Sequence, residues 1–189
     1  MAEFAYELKI PKDRIAVLIG KNGETKKYIE EETNTVLDID SRDGDVIVKG
    51  TDALSLYSTR SIIKAIGRGF NPKIAQLLLK QDYSFELINI YDYIKENHLK
   101  RVKGRLIGSK GKTRRLIEKL SDTFISIYGK TVGIIGRIED VGIAKRAVIS
   151  LIQGSPHSNV YMWLEKMRRE KKRRQFETKE SDFFKDIIK

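Results

Sequence analysis

One stretch of the chain repeats itself 88 residues further on, and this repeat limits the possible folds more than any other feature. Residues 18–30, LIGKNGETKKYIE, align with residues 106–118, LIGSKGKTRRLIE, and the match continues without a gap into the residues that follow. Solenoid repeats have periods of about 20 to 50 residues, which are too short to explain it. The 189 residues are therefore expected to form two small domains of the same fold.

Each copy predicts the same order of elements, β-α-α-β-β-α. In the first copy these elements are an extended stretch (6–10), an amphipathic helix ending at a glycine (12–19), a second helix (24–33), two strands (35–40 and 45–49) and a closing helix (51–66). In the second copy the corresponding ranges are 85–91, 99–107, 112–121, 123–128 with 131–135, and 139–152. This order predicts an α+β fold, with a three-stranded antiparallel sheet and helices on one of its faces.

Two further segments complete the predicted organisation. Asn71 can cap a helix that has Pro72 at its first position, so the segment between the copies is expected to be a helical connector that packs against one or both units. The sequence Gly-Ser-Pro at 154–156 indicates a helix stop, and another helix is predicted over 158–176. We expect its apolar face to belong to a core or an interface, and its basic run at 171–174 to be either a solvated helix end or an RNA contact. The residues of the apolar face are Val160, Trp163, Leu164 and Met167. The predicted division is a first unit at 4–67, a connector at 68–84, a second unit at 85–155 and a basic helical tail at 156–189.

The net charge of +11 is unevenly distributed along the chain. Residues 1–67 carry 10 basic and 12 acidic side chains, residues 68–155 carry 17 and 8, and residues 156–189 carry 10 and 6. Within the middle segment, eight lysines and arginines lie between 98 and 115 without any acid. Such a run is often a solvated face, but eight uncompensated cations favour a polyanionic partner, and nucleic acid is the first candidate.

Composition excludes several classes of site and protein. The chain has no cysteine and two histidines, which excludes disulfide frameworks, thiolate zinc sites and multi-histidine metal centres. No apolar run approaches 18 residues, and the first twelve residues lack the pattern of a signal peptide. A cytoplasmic protein without membrane contact, metal or cofactor is expected, and we expect it to be a monomer.

Both copies contain Ile-Gly-x-x-Gly between two helices and ahead of a β-hairpin, and in this the chain resembles the eukaryotic-type KH domain. Two glycines permit a tight turn and let a sugar–phosphate chain approach closely. The following helix points free N–H groups and its positive dipole end at the phosphates. The resemblance implies that bases lie across an apolar groove, where about four nucleotides are read.

The two loops differ in charge, and this favours the second as the main RNA site. Gly23 is followed by Glu24 at the helix start, whereas Gly111 is followed by Lys112, which is unfavourable for an isolated helix unless an anion docks there. The predicted RNA contacts are Lys103, Arg105, Ile107, Gly108, Ser109, Lys110, Gly111, Lys112, Arg114, Arg115 and Ile127 in the second unit, and Gly20, Lys21, Asn22 and Gly23 in the first.

Three further stretches of sequence narrow the resemblance to one family of KH proteins. They are residues 66–70 with the Leu77-Leu78-Leu79 helix, residues 105–113 with Ile117-Glu118, and residues 154–157 with Val160-Tyr161. Together they resemble the two-KH ribosome-assembly factors of Dim/Pno type, related to Krr-like KH proteins, in an archaeal form. The resemblance implies a non-catalytic factor that binds single-stranded small-subunit rRNA near its 3′ end. Partners implied with it are a Nob-type endonuclease, a translation initiation factor or another assembly factor.

Two alternatives remain open from the sequence. The first is a protein–protein adapter that docks a partner through the first unit and the 158–176 helix. Members of the family in eukaryotes have a degenerate first loop, yet Gly20 and Gly23 are both present here, which argues against a purely protein-binding first unit. The second is a metal-dependent enzyme using Asp38, Asp40, Asp43 and Asp45, but aspartate is ordinary in and beside hairpin turns. We predict no enzymatic activity.

Overall fold

The first repeat forms an α+β unit in the computed structural model, which describes the backbone of residues 4–187 and the side chains of residues 4–177. Its elements are β1 (Phe4–Lys9), α1 (Lys12–Ile19), α2 (Glu24–Thr33), β2 (Val36–Ile39), β3 (Asp45–Gly50) and α3 (Ala53–Gly67). The strands form an antiparallel sheet in the order β1-β3-β2. The predicted order of elements is confirmed.

The second repeat has the same architecture. After a connector helix α4 (Pro72–Ala75), its elements are β4 (Tyr83–Asn89), α5 (Leu99–Ile107), α6 (Lys112–Ser121), β5 (Thr123–Tyr128), β6 (Thr131–Arg137) and α7 (Ile138–Ile152). The sheet order β4-β6-β5 is the same as in the first unit, and both pairings are antiparallel. No helix within the described part of the chain is long and apolar enough to cross a membrane.

The core of each unit lies between its sheet and its helices. Val46 and Val48 alternate inward from β3 and meet Leu18, Ile29 and Leu56 of the three helices, all of them buried. In the second unit, Val132 and Ile134 alternate inward from β6 and pack on Leu106, Ile117 and Val148. The two-residue period of the strands and the helical period of the apolar positions therefore point to the same core.

The connector packs mainly on the first unit. The Asn71 side chain accepts a hydrogen bond from the Lys73 N–H (2.9 Å), which confirms the predicted cap beside Pro72. Helix α4 is a single turn that continues as a 3₁₀ turn over Gln76–Leu79, and Ala75 and Leu78 are buried in the first core.

The two units also pack against each other through the second sheet. Phe85 and Ile135 point away from the helices of their own unit and join the core of the first. Phe70, just after α3, packs edge-on against Phe85, with ring centroids 6.1 Å apart. The predicted arrangement, with helices on one face, holds for each unit by itself. The other face of the second sheet is covered by the end of the first unit.

The C-terminal helix α8 (His157–Ile187) is longer than predicted. Gly154 has φ 101° and separates it from α7, as the Gly-Ser-Pro pattern predicted. Val160 and Leu164 are buried in the second core, so this part of the tail is integral to the second unit. The last two residues of the predicted tail, 188 and 189, lie outside the described residues.

Candidate RNA interface

The two GxxG loops have the same backbone conformation. Gly20 has φ 76° and ψ 177°, and Gly108 has φ 72° and ψ 175°. Two residues later, Asn22 and Lys110 have left-handed φ values of 53° and 50°. The closing glycines, 23 and 111, are also left-handed. The repeat in sequence is therefore a repeat in geometry, and any difference in binding between the loops must come from their side chains.

The first and the last glycine of each loop are required for different reasons. A Cβ atom on Gly108 would overlap the Thr113 hydroxyl and lie 2.8 Å from the Thr113 backbone nitrogen. Gly20 has the same relation to Thr25. A Cβ on Gly111 would meet nothing within 4 Å, so the space beside this last glycine is open to a ligand. The first glycine packs the loop onto its own helix, and the last one leaves the approach free.

The amide groups at the start of α6 face the loop without a side-chain cap. Gly111 precedes the helix, offers no side-chain acceptor, and is followed by a first turn without acidic residues. The Lys112 N–H donates to the Ser109 carbonyl, but the next N–H groups of the first turn have no partner inside the helix and carry its positive dipole end, so they suit an anion. At the corresponding place in the first unit, Glu24 stands in the first turn of α2.

The predicted cations of the second unit fall into two groups. Lys110, Lys112 and Arg115 are exposed around the loop, and Lys103 is half-buried. The Arg115 guanidinium donates to the Lys110 carbonyl (2.7 Å) and so braces the loop.

Arg105 and Arg114 have internal partners. Arg105 donates to the Ser155 carbonyl (2.7 Å), and Arg114 lies 3.9 Å from a Glu118 oxygen. Arg105 therefore holds the end of α7, and these two arginines of the run of eight cations are engaged within the protein.

An apolar pair borders the proposed groove. Ile107, the last residue of α5, is 37% exposed, while Ile127 is half-buried on the edge strand β5. Beside them, a Glu118 carboxylate oxygen accepts from the Ile125 N–H at 2.8 Å. Glu30 does the same for the Leu37 N–H in the first unit (2.7 Å). Each glutamate satisfies an edge-strand amide. This role is not among the predictions from the sequence, although the repeated Ile-Glu pair at 29–30 and 117–118 indicates it.

Helix α8 contacts the residue on which the second GxxG loop packs. The Tyr161 hydroxyl donates to the Thr113 hydroxyl oxygen (3.1 Å), and Thr113 is the residue on which Gly108 packs. A ring nitrogen of His157 bonds with the Arg105 carbonyl oxygen (3.0 Å). The first unit has no equivalent helix among the described residues. The tail was predicted to have an apolar core face, but its link to the loop was not foreseen.

The basic run at 171–174, expected to be either a solvated helix end or an RNA contact, is not uniformly solvated. Lys171 places its ammonium nitrogen 2.6 Å from Asp140 and 3.3 Å from Glu139, and only 19% of its side chain is exposed. Burial opposes its charge, but the bonds to these carboxylates outweigh that effect and raise the pKa of Lys171. Burial also raises the pKa of Asp140 against the opposing effect of Lys171. Lys171 therefore anchors α8 to α7.

The four aspartates considered as a metal site do not converge. Asp40 accepts a hydrogen bond from the Arg42 N–H (2.7 Å) in the hairpin turn, and Asp45 pairs with Lys9 at 3.0 Å. Within the described residues no group of three or more histidine, aspartate or glutamate side chains could hold a metal ion. These carboxylates serve local turn and strand contacts.

Comparison with known families identifies both units. Residues 84–169 match the model of a eukaryotic-type KH domain (KH-domain type I) that represents the second KH domain of PNO1. Residues 5–68 match the general KH domain model.

Similar proteins extend this match over most of the chain. A KH domain-containing protein of Methanocaldococcus jannaschii is 49% identical over 175 residues, which cover 90% of this chain and 77% of that protein. The pre-rRNA-processing protein pno1 of Aspergillus fumigatus is 38% identical over 128 residues, covering 66% of this chain. The chain spans 51% of that fungal protein, about half its length.

A solved structure matches over nearly its whole length. A chain in the crystal structure of an a/eIF2alpha–aDim2p–rRNA complex from Pyrococcus horikoshii has 48% sequence identity and a TM-score of 0.84. The match covers 89% of this chain and 96% of that chain.

Proposed function

Because the chain belongs to the PNO1/Dim2 family of proteins with two KH domains, we propose that it binds single-stranded small-subunit rRNA near its 3′ end. In this proposal it acts as a non-catalytic factor in ribosome assembly, in the cytoplasm. The contact is made chiefly by the second GxxG loop, with Ser109, Lys110 and Lys112 around the phosphates. Ile107 and Ile127 would border the bases.

The observation that carries this proposal is the contrast between two loops of equal geometry. Both have the same backbone angles, so both can admit a sugar–phosphate chain. Both helix starts lack a side-chain cap, but only the second has the exposed cations Lys110, Lys112 and Arg115 around it and no acid in its first turn. Phosphate contacts dominate the affinity of nucleic-acid binding, so the more positive loop is expected to bind more tightly.

The binding experiment changes the two variable residues of each loop. Ser109→Asp with Lys110→Asp replaces a cation by two anions where phosphate would pass, and aspartate tolerates the left-handed backbone at residue 110. The glycines are left in place because substitution of Gly108 would distort the loop itself. Fluorescence anisotropy with a six-nucleotide single-stranded RNA copied from the rRNA 3′ end should show at least about tenfold weaker binding.

The matched control is Lys21→Asp with Asn22→Asp in the first loop, which makes a similar change in the same backbone. We expect it to weaken binding of the same RNA by less than about threefold. Equal losses for the two variants would mean that the second loop is not the main site. Unchanged affinity in the second-loop variant would contradict the proposal that the second loop binds this RNA.

A second candidate function is suggested by the first unit. Leu54 and Tyr57 of α3 are 77% and 66% exposed, although they are large and apolar. The similar archaeal complex contains a/eIF2alpha together with rRNA. We propose that the first unit docks a protein of this kind, such as a translation initiation factor or a nuclease that acts on the same rRNA. Leu54→Asp should abolish co-purification of the partner in nuclease-treated extract but leave RNA affinity unchanged.

A further inference from the structure

Helices α6 and α8 lie side by side and run in the same direction. Tyr161 contacts Thr113 at the start of α6, and Lys171 reaches within 4.0 Å of Asp122 just past its end. Between these points, Leu120 shares a shallow groove with residues of α8, namely Glu165, Arg168, Arg169 and Lys172. The two helices therefore form one continuous surface that starts at the GxxG loop and leads away from it.

This surface carries positive charge with few internal partners. Lys112 and Lys119 of α6 and Arg169 and Lys172 of α8 are exposed. Among the side chains of residues 4–177, Lys112, Lys119 and Lys172 form no ion pair, and Arg169 donates only to the Glu165 backbone carbonyl (3.4 Å). We name these four residues together with Arg168 the α6–α8 basic surface.

Arg168 gives the surface an unsatisfied donor. Its Nε atom is buried and has no hydrogen-bond partner among the described residues. A buried donor without a partner costs about 1–3 kcal/mol, and more when the group is charged. Arg168 borders two grooves, one with Leu120 and one with Asp122 and Arg137. An anionic oxygen entering either groove would approach the Arg168 guanidinium and stabilise its charge.

Three acids beside this surface are engaged by Lys171. Asp140, Glu139 and Asp122 all lie within 4.0 Å of the Lys171 ammonium nitrogen. Lys171 offsets one of these three negative charges. Arg168, Arg169 and Lys172 form no ion pair with them, and in the groove that contains Asp122 and Asp140 the basic side chains outnumber the acidic ones. Glu165 is the one acid that lines the groove beside Leu120. The balance of charge in that groove remains positive.

We propose that the α6–α8 basic surface binds the phosphate backbone of RNA that flanks the stretch held in the second KH groove. The inference rests on the proposed function, because it assumes that RNA occupies that groove. The groove holds about four nucleotides. Lys112 immediately follows the GxxG loop, and α6 extends for about 15 Å from it. Flanking RNA would therefore cross onto the basic surface, which would bind it without reading its sequence.

The experiment compares two RNAs that share the same six-nucleotide single strand. One is the six-mer alone, and the other carries ten additional nucleotides at each end. The test variant combines Arg168→Gln, Arg169→Gln and Lys172→Gln, and the full-length protein is used. We expect it to bind the extended RNA about tenfold more weakly, with a salt dependence flatter by about two in logarithmic slope, and to bind the six-mer as wild type does.

Two further variants complete the experiment. The matched control, Lys49→Gln with Lys64→Gln and Lys73→Gln, removes three exposed lysines of the first unit and connector, so the net charge falls equally. It should change the affinity for either RNA by less than about twofold. Lys119→Gln, an exposed change on α6, tests the same surface if the triple variant folds poorly, and should weaken only the extended RNA.

The outcomes separate the two proposals. Equal affinity of the triple variant and the control for the extended RNA would overturn the inference. An equal loss for both RNAs would overturn it as well, because the effect would then lie in the groove. Failure of the Ser109→Asp with Lys110→Asp variant to weaken the six-mer would count against the KH site itself.

Discussion

At the scale of single residues, the two glycines of a GxxG loop are expected to tolerate substitution differently. Gly108, with φ 72° and ψ 175°, lies in a region that is essentially restricted to glycine, and its Cβ would overlap Thr113. Gly111 lies in the left-handed helical region, with open space beside it, where asparagine is tolerated. We predict that Gly108→Asn lowers the free energy of unfolding by about 3 kcal/mol and Gly111→Asn by about 1 kcal/mol or less.

Urea denaturation followed by circular dichroism measures this difference. The first unit supplies an internal control, since Gly20 and Gly23 have the same angles and the same surroundings as their counterparts. The same ratio of costs is expected there. Similar losses of stability at the first and the last glycine of a loop would contradict our interpretation, in which the first glycine packs the loop onto its helix and the last one leaves space for a ligand.

The tyrosine behind the second loop leads to a prediction about binding rather than folding. Tyr161→Phe removes the hydroxyl that donates to Thr113, and the buried Thr113 hydroxyl loses its described side-chain partner. The expected loss of stability is about 1 kcal/mol. Because Gly108 packs on Thr113, the loop should loosen, and affinity for the six-nucleotide RNA should fall about threefold to fivefold. Fluorescence anisotropy measures the affinity.

Tyr57→Phe is the matched control for this change, since Tyr57 is 66% exposed and far along the chain from the loop. It should alter neither stability nor RNA affinity. An unchanged affinity in Tyr161→Phe, with the stability loss present, would show that α8 stabilises the second unit without positioning its loop.

At the scale of elements, the helices could be predicted more closely than the strands. The bounds of α1, α2, α5 and α6 agree with the predicted ranges, since the glycines of the GxxG loops mark the last residues of α1 and α5 and the first residues of α2 and α6. Strand β4 was predicted over 85–91 but spans Tyr83–Asn89. The Asn89 side chain accepts from the Tyr91 N–H (3.4 Å) and starts a 3₁₀ turn, which ends the strand where periodicity alone would continue it.

The partners of charged side chains could not be predicted, because they come from distant parts of the chain. Arg105 was predicted to contact RNA, yet its guanidinium bonds to the Ser155 carbonyl oxygen, 50 residues away. Lys171 binds Asp140, 31 residues away, although its neighbours in sequence suggested a solvated run. Composition and spacing identify a basic segment, but only packing determines which of its charges remain available.

The ion pair between α7 and α8 provides a prediction that depends on pH. Lys171→Met leaves the buried Asp140 carboxylate without its closest cation, which should cost about 3 kcal/mol at pH 8. The pKa of Asp140 is already raised by burial, and removal of Lys171 should raise it further. The folded state then binds a proton more readily than the unfolded state, so stability should increase as the pH falls. The variant should recover part of its loss at pH 5.

Urea denaturation at pH 5 and pH 8 measures the recovery. The double variant Asp140→Leu with Lys171→Met removes both charges and should regain most of the stability at either pH. An equal loss in Lys171→Met at both pH values would mean that Asp140 does not carry an uncompensated charge in that variant. The loss would then come from other contacts of the Lys171 side chain and not from an unpaired Asp140 charge.

At the scale of the whole molecule, the two units are joined through the outer face of the second sheet. Ser126 donates to the Arg68 carbonyl (2.8 Å), and the Tyr128 hydroxyl donates to Asp13 of α1 at 2.7 Å. Gly133 lies at the centre of this face, and a Cβ there would come within 2.7 Å of the Phe70 ring and 3.2 Å of the Phe85 ring. The close approach of the two units therefore depends on a glycine in the middle of a buried strand.

Gly133→Ala is expected to uncouple the two units, so that they unfold at different urea concentrations. The added methyl group overpacks the interface at Phe70 and Phe85, which typically costs about 1–3 kcal/mol, while the inward-facing residues of the second core are unchanged. In the native chain, denaturation followed by fluorescence of the single tryptophan, Trp163, and by circular dichroism should coincide, because the packed units unfold together. In Gly133→Ala the two curves should diverge, since Trp163 packs against the second core and reports on that unit.

The matched control is Gly142→Ala, another glycine-to-alanine change in the second unit. Gly142 lies inside α7 with nothing within 4 Å of a new Cβ, so alanine should stabilise the helix by about 0.5–1 kcal/mol. Its two curves should remain coincident and shift together to higher urea concentration. Coincident curves in Gly133→Ala would contradict the prediction. They would mean that the units stay coupled despite the overpacked interface, through contacts such as that between Tyr128 and Asp13.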